Sequence, residues 1–224
     1  MVSQHTPPAS LPAKSRTAIL EAATSVFQED GFSGARVDEI ARRAGANKAM
    51  IYYHFSSKQG LYRAVLLNLF EDVVLEVERL RKSPAPPKEK LHALYTRFAE
   101  RFEEKKALPQ IMLREILAGG ESMDEGASRA LFVILSFVRE TIQEGIRTGA
   151  FRRVDPFLLH LTVLAPLLVH FAGASFGARV LARAMPQAAL PTSDAMLRHL
   201  LEVLDRDLAP LPKSPTNRRP RKRP

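Results

Sequence analysis

The stretch from Asn47 to Lys58 gathers an amide, two amines, two phenols and an imidazole, groups that recognise other molecules through hydrogen bonds and charge. Asn47 follows the turn residues Gly45-Ala46 and is a good N-cap for a short helix over Lys48–His54. Just upstream, Val37–Ala44 reads as another short helix with Ile40 and Ala41 turned inward. Two short helices joined by a tight glycine turn, the second capped and polar, describe a helix-turn-helix. In that geometry the first helix packs across the second. The start of the second faces base edges in a major groove, and aromatic and basic groups at its far end reach phosphates. Covalent chemistry has no comparable support. The sequence offers no nucleophile–base pair at a recognisable spacing, no glycine-rich phosphate loop and no close cluster of His, Asp and Glu. No enzyme activity, cofactor or metal is therefore expected, and His160, His170 and His199 read as structural.

The elements that must hold this stretch are helical almost without a break. Ile19, Ala22, Ala23, Val26 and Phe27 fall on one helical face, and Gly31 ends that helix. Ser56 or Ser57 caps a long helix running from Lys58 to about Lys82, which Ser83-Pro84-Ala85-Pro86-Pro87 stops. Further helices are expected over 88–106, 109–117, 125–148, 156–184 and 194–208, with Gly119-Gly120 and Gly149 as stops and Pro166 as a kink. No strand or internal repeat is evident. The expectation is an all-α fold of about nine helices.

The 224 residues carry a formal net charge of +9, but the excess is uneven. Lys213, Arg218, Arg219, Arg221, Lys222 and Arg223 crowd the tail, so global charge says little about a specific acidic partner. Residues 1–13 are rich in Pro and Ser and are expected to be a disordered arm, and 211–224 a basic disordered tail. With no cysteine and no signal-peptide pattern at the start, a cytoplasmic protein is expected. The most apolar stretch, 157–178, is interrupted by His160, Pro166 and His170 and reads as a buried helix rather than a membrane span.

The run GFSGARVDEIARRAGANKAMIYYHFSSKQGLYRAVL carries a specific likeness. Its Gly31-Phe32, Ile40-Ala41, Ala44-Gly45, Tyr52, His54-Phe55, Lys58 and Leu61 keep a fixed spacing over some thirty residues. Residues 14–67 resemble the helix-turn-helix DNA-binding domain of TetR-type (TetR/AcrR) repressors. The resemblance implies that Asn47, Lys48, Ala49 and Met50 face bases or nearby phosphates, and that Tyr52, Tyr53 and His54 lie along the DNA backbone. It also implies that Lys58 binds phosphate at a helix N-terminus, while Ile51 and Phe55 are core. Packing or plain solvation would suit Tyr52, Tyr53, His54, Lys48, Arg42 and Arg43 as well. Three positions depart from the usual pattern: Arg36 replaces a capping Thr or Ser and offers a guanidinium to phosphate instead, Ala49 replaces a Gly, and Gln59 replaces an acid.

Beyond this region the likeness is looser and implies a helical effector-binding and dimerisation domain over 68–210. Such domains hold a pocket among the central helices. The candidate lining residues are Phe98, Phe102, Met112, Glu115, Phe132, Ser136, Arg139, Thr162, Pro166 and His170, apolar walls with a few polar groups. Glu115 is expected either to pair with Arg139 or Arg114 or to select a cationic ligand. The last two helices, with Ala172, Gly173, Ala174, Gly177 and Ala178 allowing close approach, are expected to form a homodimer that reads a palindromic double-stranded DNA operator. The function implied is a repressor released by an unidentified small-molecule effector. An activator, or an effector-independent architectural DNA binder, remains an alternative.

Overall fold

The computed structural model describes residues 13–185 and 187–210. The expected arm and basic tail lie outside them, apart from the first helical residue. Among the described residues the chain is all helix, in nine elements: α1 (Ala13–Gly34), α2 (Val37–Arg43), α3 (Lys48–Phe55), α4 (Lys58–Arg81), α5 (Pro87–Glu104), α6 (Ala107–Leu117), α7 (Glu125–Arg147), α8 (Pro156–Ala184) and α9 (Ser193–Leu208). The expected all-α, nine-helix architecture is what forms.

Local signals explain the boundaries. Gly31 does break α1, with φ 69°, but one more helical turn follows before α2 begins. Gly45 takes a left-handed φ of 61°, which only glycine adopts freely, and so turns the chain between α2 and α3. Asn47, Ser57, Asp124, Asp155 and Thr192 each accept a backbone N–H at a helix start. Phe151 folds back under the end of α7, where its N–H donates to the Gly145 carbonyl at 3.0 Å. A Cβ at Gly145 would strike the Phe151 ring, which gives that glycine its reason.

Helix α4 runs from the N-terminal helices into the body. Its first half packs on α1 and α3, and its length lies against α5 and α7. Leu61, Tyr62, Val65, Leu66, Leu69, Val73 and Val77 form its buried stripe. The expected domain boundary at residue 67 falls inside this unbroken helix. Buried Arg101 of α5 grips α4 from the side, donating to the carbonyls of Asn68 (2.8 Å) and Leu69 (3.0 Å) and pairing with Asp72 at 2.6 Å.

One expectation fails. The stretch 157–178 is not a buried helix. Helix α8 is long and apolar enough to cross a bilayer by length and composition, yet only 28% of its apolar window is buried. Leu159, His160, Val163, Leu167 and Leu168 turn inward. Phe157, Leu158, Leu161, Val169, Phe176 and Val180 lie in water on the other side. Hydrophobicity all round a helix told of two apolar faces, not of a single enclosing core. Pro166 sits within α8, and the helix continues through it.

Candidate nucleic-acid interface

Helices α1, α2 and α3 form a small head. Ile19, Val26, Phe27, Ile40, Ala41, Ile51 and Phe55 fill its core. Using Ile51 and Phe55 inward fixes the opposite face of α3 outward. That face carries Lys48, Ala49, Tyr52 and Tyr53, all exposed, with Tyr52 at 45% and Tyr53 at 76%. Phenols this exposed are not packing residues. Asn47 is spent in part as a cap, accepting from the Met50 N–H at 2.8 Å, and Met50 is half-buried.

The charges around this face are not equally available. Arg43 forks onto Glu29 (2.7 and 2.8 Å) and also reaches Glu39, while Arg42 chelates Glu39. The Arg43 hydrogen bonds, helped by Ser25, hold the Glu29 carboxyl down at about 2, and those from Arg42 and then Arg43 do the same for Glu39. Both arginines are therefore neutralised locally. Lys48 pairs with Asp38 at 2.7 Å, with both groups about half exposed. Arg36 precedes α2 exposed and makes no side-chain cap bond, so the lost hydroxyl is not replaced. Lys58 turns back over the Phe32 ring (4.8 Å) and donates to the Ser33 carbonyl, and burial lowers its pKa. His54 is half-buried, and its Nε2 has no hydrogen-bond partner. Gln59, in place of an acid, donates to the Ser122 carbonyl at 2.6 Å and ties α4 to the loop before α7.

The ten candidate pocket residues do not converge. Phe98 and Phe102 of α5 are buried and in ring contact, and Phe102 meets Phe171 at 5.7 Å. Ser136 is buried, while Met112, Pro166 and His170 are half-buried. Phe132, Arg139 and Thr162 lie on the outside, on faces of α7 and α8 turned from the core. Glu115 is buried, but neither Arg139 nor Arg114 is its partner. It accepts from the Tyr62 hydroxyl at 2.6 Å, and its other oxygen has no partner. Arg114 instead donates to the carbonyls of Gln28 and Glu29 at the end of α1. The sequence reading did not single out Tyr62 or Tyr95, and it took His160 as a structural histidine without naming its partner. Tyr95 and His160 form a buried pair at 3.2 Å, and burial pushes the imidazole down to about 4. A tyrosine or histidine on an apolar stripe needs a partner when buried, and that was the available signal. A cavity of about 760 Å³ opens between head and body, and none of the ten candidates lines it.

Two family profiles cover the chain in order. "Bacterial regulatory proteins, tetR family" matches residues 19–65, and "Tetracyclin repressor-like, C-terminal domain" matches residues 87–204, over half of the sequence. The chain belongs to the TetR family of transcriptional regulators. Its α2–α3 unit is the DNA-binding helix-turn-helix of that family. Among similar TetR-type proteins, the transcriptional repressor NicS of Pseudomonas putida is 29% identical over 160 residues, spanning 70% of this chain and 75% of NicS. The transcriptional activator FasR of Mycolicibacterium smegmatis is 38% identical over 88 residues, 39% of this chain and 40% of FasR. In fold, the chain matches the transcriptional regulator FadR of Bacillus subtilis in complex with stearoyl-CoA at a TM-score of 0.64. That match has 19% identity over 86% of this chain and 99% of FadR.

Proposed function

We propose that this regulator is a ligand-responsive repressor that binds a palindromic operator as a homodimer. The carrying observation is the outer face of α3. Lys48, Ala49, Tyr52 and Tyr53 stand exposed on a head whose core is otherwise closed. In this reading residues 14–67 bind DNA and residues 68–210 bind effector and partner subunit. Asn47–Met50 approach base edges, and Tyr52, Tyr53, His54, Arg36 and Lys58 approach the backbone. Lys58 must swing off Phe32 to do so. The second copy covers the water-exposed apolar side of α8 together with α9. That assembly sets two recognition helices about one DNA turn apart.

The effector acts through α4, which packs on α1 and α3 of the head and on α5 and α7 of the body. A ligand among the central helices, near Phe98, Phe102, Met112 and Glu115, shifts α4 and spoils the spacing of the two heads. It must bind the two states unequally to do this. Repression is preferred because the longer match is to a protein named a repressor. The test is binding of the purified protein to its own upstream intergenic DNA against scrambled DNA at physiological salt. Selective binding of one dimer per site supports the reading, and equal binding to both DNAs overturns it.

A further inference from the structure

None of the candidate effector residues lines the cavity between head and body, and of the candidate DNA contacts only His54 borders it. Its floor is one face of α4, with Arg63, Leu67, Glu71 and Leu75 at successive helical turns. From Arg63 to Leu75 that floor runs about 18 Å. Arg16 and the end of α3, His54 to Ser56, close one end. Arg129 and Val133 of α7 form the far wall.

Its chemistry is divided along its length. Three guanidiniums, Arg16, Arg63 and Arg129, face a single carboxylate, Glu71. Arg63 and Arg129 reach Asp124 (3.3 Å) and Glu125 (3.4 Å) only through long, exposed pairs, so each keeps donors free. Arg16 lies over the Phe55 ring at 5.3 Å and makes no ion pair among the described residues. His54 adds a buried Nε2 without a partner, a polar atom that a ligand could satisfy. Further along α4 the lining turns apolar. Leu67, Val74, Leu75 and Val133 line it, and Leu67 and Leu75 are left in water.

We propose that this cavity is a regulatory site for an amphiphilic carboxylate, a single alkyl chain ending in an acid. The carboxylate is held by Arg16, Arg63 and His54 at the head end, and the chain lies along Leu67, Val74, Leu75 and Val133. A volume of about 760 Å³ is within the range of small-molecule sites. The site would act on DNA binding directly, because its head end is the last turn of α3. The α3–α4 joint there is tightly set. Ser56 holds a left-handed φ of 63°, and a Cβ on Gly60 would strike the Phe55 carbonyl. The regulatory half of this inference rests on α3 being the DNA-reading helix, whereas the binding half does not.

The test uses the full chain and dodecanoate, with dodecanol as the uncharged control, in titration calorimetry. The chain has no tryptophan, so Leu67→Trp supplies a single fluorescent reporter inside the site. Dodecanoate should bind at least about tenfold more tightly than dodecanol and shift the reporter to the blue. Arg16→Ala with Arg63→Ala, both surface changes, should weaken dodecanoate about tenfold or more, as should Leu75→Asp at the other end. Dodecanoate should also release the upstream DNA from the wild type and not from these variants. Equal binding of dodecanol, or undiminished binding by the double variant, overturns the site. Binding without DNA release overturns its regulatory role. If no selective DNA binding is found at all while dodecanoate still binds through the arginines, the site stands and the operator reading falls.

Discussion

The outer face of α3 and the outer face of α8 are both left in water, and they are made of opposite materials. On α3 the exposed groups are an amine, two phenols and an alanine beside a capped helix start. On α8 they are Phe157, Leu158, Leu161, Val169, Phe176 and Val180. A polar, aromatic and cationic face suits phosphates and base edges, which are themselves polar and remain partly hydrated when bound. A continuous apolar face of this size on one helix suits only a surface that is equally dry. The head also secures its own structure, through Arg43, Glu29 and Glu39, while α8 leaves most of its apolar window uncovered. The difference teaches that exposure alone does not name a partner; the chemistry of what is exposed does.

The most forceful way to break the comparison is to charge α8. Val169→Glu with Phe176→Glu places two carboxylates on the exposed side and disturbs none of its buried residues. Loss of two apolar anchors and burial of two charges should raise the dimer dissociation constant about a thousandfold or more, about 4 kcal/mol. Sedimentation equilibrium reads this directly, with circular dichroism as the check on folding. If the variant dimerises like the wild type, the α8 face is not the interface.

The two regions should also separate in pH. In the body, burial holds His160 neutral, with its pKa lowered from 6.5 to about 4. Between those values the unfolded chain takes a proton that the folded chain refuses. The folded state therefore loses stability as pH falls from about 6.5 toward 4, by up to about 3 kcal/mol. In the head, Glu29 and Glu39 are held near 2, so their exposed contribution is lost only below about 4.5. Urea denaturation across pH 4–7 should show the first limb, and His160→Gln should flatten it. A variant that keeps the full slope refutes the assignment.

Between them in space lies the link from body to head, Tyr62 on Glu115. Tyr62→Phe removes the one hydrogen bond that the Glu115 carboxylate accepts among the described residues and leaves a buried carboxyl wholly unpaired. About 2 kcal/mol of stability should be lost, readable as a shift in the denaturation midpoint. Adding Glu115→Met should recover most of it, because the orphaned group goes too. No recovery would mean that Tyr62 acts through its ring contacts with Phe27 and Phe32 instead.

How much of this was legible follows the range of the forces. Helix ends came out almost residue by residue, because caps and glycines act within three or four positions: Asn47 on Met50, Asp155 on Leu158. The α3 face was legible for the same reason, since Ile51 and Phe55 inward settle the rest. The body's interior was not. Phe98 and Phe132 are alike on a helical stripe, yet one is buried and the other 67% exposed, and only the packing of neighbouring helices decides which. The partner of Glu115 lies 53 positions away on α4, beyond any spacing rule. The head–body cavity is assembled from one face of α4 and the ends of α1, α3 and α7, and no stretch of the sequence outlines it.

The smallest effect is the sharpest discriminator for α3 itself. Lys48 is bound to Asp38 at 2.7 Å, an exposed pair worth at most about 1 kcal/mol. If Lys48 reaches a phosphate, that pair must open when DNA binds, and Asp38 competes with the DNA. Lys48→Ala should then weaken operator binding about tenfold and lower the slope of log affinity against log salt by about one. Asp38→Asn should move affinity the other way, tightening binding by about threefold as the competing carboxylate and its repulsion from DNA disappear. If instead the pair serves to hold α2 against α3, both substitutions must weaken binding and neither should change the salt slope. Opposite signs from two sides of one ion pair leave little room between these outcomes, and fluorescence anisotropy on the upstream DNA at two salt concentrations separates them.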